Sequence, residues 1–133
     1  MVQIVDASVA IKWFVEEKGR DVALKVLQRL LENPKAFAVP EIFYFELVHV
    51  FHRLVPHPAS DQLDLLATLI TLGIHRFSMT PEFLSEIRSI QKLGLSGYDG
   101  AYVALAKLLQ GRWLTFDEQA HRCIAHLQLS EVL

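Results

Sequence analysis

The 133-residue sequence has little cysteine, little net charge and no long uninterrupted apolar run. Its single cysteine, Cys123, cannot form an intrachain disulfide, which fits the reducing cytoplasm. The formal net charge of −2 at pH 7 excludes a broad basic face that would hold nucleic acid unaided. The apolar runs are short or interrupted, so they predict no membrane-spanning helix. No basic and then apolar leader precedes Asp6, which argues against a secretory signal. The sequence therefore predicts a cytoplasmic protein outside the membrane.

The chain contains enough apolar residues for one packed core. A hydrophobic content of 52% over 133 residues predicts a single domain covering residues 1–133. Strand-like and helix-like segments alternate along it, which predicts a three-layer α/β/α fold with a central parallel sheet of four to five strands. The predicted strands cover residues 2–5, 36–39, 74–79, 112–115 and an extended segment at 127–133. The predicted helices cover residues 8–16, 21–31, 41–54, 60–72, 80–93, 98–109 and 117–125.

The opening strand ends on an acid. Asp6 follows a short apolar run, and Ser8 stands two residues later at the start of a helical pattern. In an open parallel sheet, ligands bind outside the carboxyl ends of the strands, so Asp6 is placed at the edge where a binding site is expected. The alternative is that Asp6 only ends the strand while Ser8 caps the helix.

Three further acids occupy informative positions. Asp117 follows the predicted strand at 112–115, Glu46 lies inside the most apolar helix, and Asp99 is in the first turn of the helix after a glycine-containing loop. Residues 96–99 and 115–118 both fit a capping-box pattern, so Asp99 and Asp117 could be first-turn acids that stabilise their helices. Glu46 could pair with His49 or Arg53 on its own helix.

If these four acids meet, their mutual repulsion must be offset. Carboxylates within a few ångströms of one another cannot all ionise in a dry site. One or two Mg²⁺ or Mn²⁺ ions would supply the offset, and they would leave positions open for a phosphate oxygen and an attacking water. Two such ions would also reverse the sign of the net charge, so a mildly acidic protein could then hold a polyanion.

Several segments together resemble the PIN-domain family of metal-dependent nucleases, and more closely its VapC toxin branch. The resemblance covers essentially the whole chain, and it depends on the order and spacing of its segments. These are Ile4-Val5-Asp6-Ala7-Ser8-Val9 with Lys12-Trp13-Phe14, Val39-Pro40 with Glu46-Leu47, the run from Ser96-Gly97-Tyr98-Asp99 to Ala106, and Leu114-Thr115-Phe116-Asp117. Three positions depart from the expected pattern: His49 stands where Asn is common, Gly100 where Ala is usual, and Ala120 where a larger apolar residue is usual.

The resemblance implies roles for particular residues. The acidic quartet that would be catalytic and bind metal is Asp6, Glu46, Asp99 and Asp117. Thr115 is similar to the family's hydroxyl beside the last acid, and Ser8 is placed to assist near the first acid and its substrate. Lys12 lies close enough to the first motif to contact a substrate phosphate, although a solvated surface charge is the alternative. The family also implies a single-stranded RNA substrate, a homodimer and a small antitoxin partner.

These observations predict a Mg²⁺- or Mn²⁺-dependent endoribonuclease, the toxin of a toxin–antitoxin pair. The alternative is a PIN-like RNA-binding or regulatory module without turnover. A phosphoacceptor receiver domain would need a pair of acids after the first strand, which Val5-Asp6 does not provide. The helix at 41–54 carries more apolar surface than one sheet contact covers, so it is expected to form a dimer or antitoxin interface or to be buried in the core.

Overall fold

A computed structural model of the chain describes residues 1–95 and 97–133. Its sheet has five parallel strands in the order β3-β2-β1-β4-β5, which confirms the predicted α/β fold at the upper strand number. The strands are β1 (Gln3–Val5), β2 (Phe37–Pro40), β3 (His75–Phe77), β4 (Arg112–Thr115) and β5 (Ser130–Val132). The α-helices are α1 (Ala7–Ala10), α2 (Arg20–Glu32), α3 (Ile42–Leu54), α4 (Ser60–Thr71), α5 (Pro81–Gln91), α6 (Asp99–Leu108) and α7 (Glu118–Ile124). Short 3₁₀ helices cover Ile11–Trp13, Pro34–Ala36 and Ala125–Leu127.

The strand order creates a switch point beside β1. The chain builds β1, β2 and β3 towards one side, then returns to pair β4 with the other side of β1. Ile4 sits opposite Ala38 on one neighbour and Trp113 on the other. The helices that follow β1 and β4 leave a crevice between them at the carboxyl ends of these strands, which is where ligands bind in such sheets. Asp6 and Asp117 lie in the two turns that border this crevice.

Helix α6 packs against the middle of the sheet. It contacts β1, β2 and β4, and α5 packs against it in turn. Small residues permit this close approach: a Cβ atom added at Gly100 would lie 3.1 Å from Cγ of Gln91 on α5. Gly100, where the family usually has Ala, thus stands at a tight contact between two helices.

Some predicted boundaries were wrong. The helix predicted at 8–16 is α-helical only to Ala10 and continues as the 3₁₀ helix Ile11–Trp13. Its early end places Trp13 and Phe14 in the interior: the Trp13 indole N–H donates to the Ala23 carbonyl at 2.8 Å, and the Phe14 ring meets that of Phe51 at 5.1 Å.

The last extended segment is also shorter than predicted. The 3₁₀ helix Ala125–Leu127 and a left-handed residue at Gln128, with φ of 57°, precede β5, so only Ser130–Val132 pairs with β4. The strand predicted at 74–79 is reduced to His75–Phe77, because this edge strand pairs only with β2 among the described strands.

None of the helices in residues 1–95 and 97–133 has the length and apolarity needed to span a bilayer.

We expect a substitution of Gly111, in the turn between α6 and β4, to reduce the stability of the protein strongly. Its N–H donates to the Ala106 carbonyl at 2.8 Å, and an added Cβ atom would lie 2.3 Å from the Val2 carbonyl oxygen. Gly111→Ala is therefore expected to lower the free energy of unfolding by about 2–3 kcal/mol, because the backbone of β1 cannot move without disturbing the sheet. Urea denaturation followed by circular dichroism measures this change. Gly73→Ala is the matched control, since no atom lies within 4 Å of its added Cβ; a loss at Gly73 as large as that at Gly111 would contradict the explanation.

Candidate functional site

Asp6 is the most buried of the four acids, with 6% of its surface exposed. Its Oδ1 accepts the Ser8 hydroxyl at 2.6 Å and the Val9 N–H at 3.2 Å, and its Oδ2 accepts the Trp113 indole N–H at 3.0 Å. Burial raises the pKa of Asp6 above its ordinary value, while these donors and the Thr115 hydroxyl act to lower it. The carboxylate is therefore held in one orientation by donors from two separate elements, α1 and β4.

Glu46 is held from a different element. Its Oε1 accepts the Tyr102 hydroxyl of α6 at 2.7 Å, so the predicted alternative of pairing with His49 or Arg53 is replaced by a bond between helices. Burial raises the pKa of Glu46, and the charges of Asp6 and Asp99 raise it further. These interactions show that Glu46 shares the electrostatic environment of the two aspartates.

The residues that donate hydrogen bonds to Asp6 and Glu46 across the site are two aromatic residues in contact with each other. Tyr102 and Trp113 are stacked, with ring centroids 6.3 Å apart and an interplanar angle of 13°. Each ring is buried and directs its only polar group at one of the acids. No role is predicted for Tyr102 or Trp113 from the sequence alone. The available signal was that a buried Tyr or Trp needs a partner for its O–H or N–H.

Asp99 and Asp117 line a common cavity of about 160 Å³. Asp99 is the first residue of α6, and Asp117 precedes the first residue of α7. Burial, followed by the charges of Asp6 and Asp117, raises the pKa of Asp99 to about 6. The other residues that line this cavity are Gly94, Leu95, Gln119, Ala120 and Cys123.

The helix caps differ in part from the predicted ones. Asp6, rather than Ser8, is the N-cap of α1, and Asp117, rather than Thr115, is the N-cap of α7 through a 2.9 Å bond from the Ala120 N–H. The fully buried Thr115 instead accepts the Asp117 N–H at 3.0 Å on its hydroxyl oxygen. Ser96, on which the predicted capping box at Asp99 depends, lies outside the described residues.

The predicted substrate contacts, Ser8 and Lys12, differ in their surroundings. Ser8 is exposed beside Asp6. The Lys12 ammonium donates to Glu17 Oε1 at 2.9 Å and to the Lys18 carbonyl at 2.8 Å. Of these two residues, only Ser8 therefore has an exposed side chain that bonds to one of the four acids of the candidate site.

The four acids supply the oxygen ligands that hard divalent cations prefer, and a cation would offset the like-charge interactions that raise the pKa values of Glu46 and Asp99. Within residues 1–95 and 97–133, no three His, Cys, Asp or Glu side chains already stand at the spacing of one coordination shell. The donor chemistry fits Mg²⁺ or Mn²⁺. The acid side chains would have to shift to complete one coordination shell around such an ion.

The fold and this edge define a class of protein: a parallel α/β domain with acids from several elements gathered at its switch point. A family model for the PIN domain matches residues 4–125. The chain belongs to the PIN domain family.

Comparison with solved structures shows the same fold at low sequence identity. A toxin–antitoxin complex from Klebsiella pneumoniae is 15% identical, with a TM-score of 0.68 and coverage of 98% of this chain and 96% of the other. VapBC2 from Rickettsia felis, bound to a DNA fragment from its promoter, is 11% identical with a TM-score of 0.66 and coverage of 100% and 99%. Mycobacterium tuberculosis VapC20, described as a toxin that cleaves the sarcin-ricin loop, is 11% identical with a TM-score of 0.65 and coverage of 90% and 93%. No curated protein sequence matches this chain.

Because the Tyr102 hydroxyl donates to Glu46, we expect its removal to reduce stability more than removal of the hydroxyl of Tyr44, which is also buried. Tyr102→Phe is expected to lower the free energy of unfolding by about 1 kcal/mol and to raise the pKa of Glu46 further, because the hydroxyl that stabilises its charged form is lost. Urea denaturation and carbon NMR of the Glu46 carboxyl measure the two effects.

Tyr44→Phe is the matched control for Tyr102→Phe. Its buried hydroxyl donates to no carboxylate among the described residues, and its ring packs against Arg76, so removal of this hydroxyl should lower stability less than removal of the Tyr102 hydroxyl. Equal losses in the two variants would contradict a specific role for the bond to Glu46.

Proposed function

We propose that the chain is a divalent-metal-dependent endoribonuclease, acting with one or two Mg²⁺ or Mn²⁺ ions. The observation that carries the proposal is the gathering of four acids from separate elements at one switch point, where the charges of Asp6, Asp99 and Asp117 raise the pKa values of their neighbours. Such mutual repulsion destabilises the empty site, and the binding of a cation relieves it.

In this proposal, Asp6, Glu46, Asp99 and Asp117 hold the cations. A divalent ion held by these residues would supply Lewis acidity, which would polarise a phosphodiester and lower the pKa of an attacking water, so no protein nucleophile would be needed. The protein groups fix the geometry: Trp113 and Ser8 orient Asp6, and Tyr102 orients Glu46. The Thr115 hydroxyl holds the amide of Asp117 at 3.0 Å. We propose that the exposed Ser8 hydroxyl, while it donates to Asp6, also lies within reach of a substrate phosphate.

We also propose that the chain is the cytoplasmic toxin of a toxin–antitoxin pair. Support comes from the similarity to the toxin–antitoxin structures and from the outer face of α3, where Phe45 is 68% and Val48 45% exposed. Because they stand three positions apart, these two residues form one exposed apolar face of α3, on which we propose that an antitoxin segment packs. The apolar groove of about 440 Å³ lined by Ile42, Phe77, Met79, Leu84 and Tyr98, among others, is proposed to receive a second copy in a homodimer.

RNA cleavage with controlled metal content tests the nuclease proposal. We expect purified protein to cut single-stranded RNA with Mn²⁺ or Mg²⁺ but not with chelator. Asp99→Asn should reduce the rate at least about 100-fold, because it removes one charge from the proposed metal site. Asp61→Asn is the control, since Asp61 lies in the exposed first turn of α4.

Cleavage that persists in chelator or in Asp99→Asn would contradict the nuclease proposal. Retained RNA binding without cleavage under every metal condition would favour the alternative, a PIN-like RNA-binding or regulatory module.

A further inference from the structure

The Lys12 side chain is unusually enclosed for a lysine, with only 13% of its surface exposed. Its ammonium donates to Glu17 Oε1 at 2.9 Å and to the Lys18 carbonyl at 2.8 Å, and it stands 4.6 Å from the centroid of the Phe116 ring. Two hydrogen bonds and a cation–π contact therefore occupy it. These contacts join the segment after the 3₁₀ helix Ile11–Trp13 to the turn after β4.

A glycine packs against the same ring. Gly19 has φ of 89°, in the left-handed region that favours glycine, and an added Cβ atom would lie 2.8 Å from Cε1 of Phe116. The Phe116 ring is thus in contact with both the backbone of Gly19 and the Lys12 ammonium. We call Lys12, Gly19 and Phe116 the Phe116 clamp.

The Phe116 clamp connects the two acid-bearing turns. Lys12 lies in the 3₁₀ helix that continues directly from α1, whose N-cap is Asp6. Phe116 stands between Thr115 and Asp117, so the position of its backbone sets the bond from the Asp117 N–H to the Thr115 hydroxyl. Arg20 supports the same segment by donating from Nε to the Lys12 carbonyl at 3.2 Å.

We propose that the Phe116 clamp sets the separation between Asp6 and Asp117, and that Lys12 is a positioning residue for Asp117 rather than a ligand of substrate phosphate. This inference rests on the proposed nuclease function for its catalytic consequence. Its physical basis is that the clamp adds a second connection, beside the bond from Trp113 to Asp6, between the segment that follows β1 and the segment formed by β4 and its turn. Without the clamp, the Asp117 turn would loosen, so that Asp117 would lose its fixed distance from Asp6 and its helix cap would open more often.

The experiment compares Lys12→Met, which keeps a side chain of similar length without charge, with Lys12→Arg, which retains charge and the cation–π contact. Phe116→Leu is a second disruption that keeps apolar bulk. The matched control is Lys107→Met, which breaks another 2.9 Å lysine–carboxylate pair, that with Glu86. Amide hydrogen exchange at Asp117 and Ala120 is measured in the metal-free protein, and kcat and KM for RNA cleavage are measured with Mn²⁺.

We expect exchange at the Asp117 and Ala120 amides to quicken about tenfold in Lys12→Met and in Phe116→Leu, with rescue by Lys12→Arg and no change in Lys107→Met. In the same variants kcat should fall about tenfold while KM stays within about twofold, because a misplaced group slows the reaction without weakening substrate binding.

Unchanged amide exchange in both disrupting variants would overturn the proposal. It would also be overturned if Lys12→Met raised KM at constant kcat, since that result assigns Lys12 to substrate phosphate. If the unaltered protein cleaves no RNA, the nuclease proposal fails, and amide exchange still decides whether the Phe116 clamp orders the Asp117 turn.

Discussion

Asp6→Asn is expected to lose at least about 1,000-fold in the rate of RNA cleavage while remaining folded. The substitution removes one negative charge from the centre of the acidic site, where Asp6 raises the pKa values of both Glu46 and Asp99. It leaves the size and shape of the side chain nearly unchanged. A large loss of activity in a folded protein would therefore report on the charge of this carboxylate.

The stability of Asp6→Asn follows from its hydrogen bonds. One carboxylate oxygen accepts from Ser8 and Val9, and the other from Trp113. An asparagine has only one acceptor oxygen, so either the Val9 N–H or the Trp113 indole loses its partner. Relief of the buried charge, which raises the pKa of Asp6, offsets that loss. The free energy of unfolding should change by no more than about 1 kcal/mol.

Asp6→Ala should also be inactive but less stable. It removes the N-cap of α1 and leaves the buried Trp113 indole N–H without an acceptor. The free energy of unfolding should fall by about 2–3 kcal/mol relative to the unaltered protein.

Urea denaturation and RNA cleavage with Mn²⁺ separate these effects, with Asp21→Asn in the exposed first turn of α2 as control. A cleavage rate above about one-tenth of normal in Asp6→Asn would contradict a metal-binding role for Asp6.

The positions of Asp6 and Asp117 could be predicted because they depend on local pattern. Each follows a short apolar strand, and a parallel sheet brings the carboxyl ends of its strands to one edge. The pairing of β1 directly with β4 then places the two turns side by side. The alternation of strands and helices was sufficient for this step, and the predicted strand at 112–115 matches β4 without correction.

The residues that orient the acids could not be predicted from the local sequence pattern. Tyr102 lies 56 positions from Glu46, and Trp113 lies 107 positions from Asp6. The bond from Tyr102 depends on how α6 crosses β1, β2 and β4, and the bond from Trp113 on the register between β1 and β4, and no sequence periodicity specifies either. The same reasoning applies to Lys12: its charge suggested a phosphate contact, but its environment depends on Phe116, more than a hundred residues away.

The second prediction concerns the pH dependence of stability in the absence of divalent cations. The free energy of unfolding is expected to decrease as pH rises from about 4 to about 6, and to stay low above that range. The pKa of Asp99 is raised from 3.8 to about 6 in the folded protein. Between these values the folded protein keeps a proton that the unfolded chain has lost, so rising pH favours unfolding. The raised pKa values of Asp6 and Glu46 act in the same direction.

The size of the effect at Asp99 is limited by solvent. The full shift in pKa corresponds to about 3 kcal/mol, but Asp99 is only partly buried, so screening should reduce its contribution to about 1 kcal/mol. Asp99→Asn should therefore stabilise the metal-free protein at pH 7 by about 1 kcal/mol and flatten the dependence of stability on pH. Asp61→Asn, which removes an exposed first-turn charge from α4, should lower stability by no more than about 0.5 kcal/mol and leave this pH dependence in place.

Cations should reverse this pH dependence if the acids form the proposed metal site. Mn²⁺ binds ionised carboxylates, so it should stabilise the protein more at pH 7 than at pH 5, and much less in Asp99→Asn at either pH. Thermal or urea denaturation at both pH values, with Mn²⁺ and with chelator, measures all of these differences. The loss of an acid would then increase the stability of the metal-free protein while removing its response to metal. A destabilised Asp99→Asn, or equal stabilisation by Mn²⁺ with and without Asp99, would show instead that this carboxylate supports the fold and does not bind the cation.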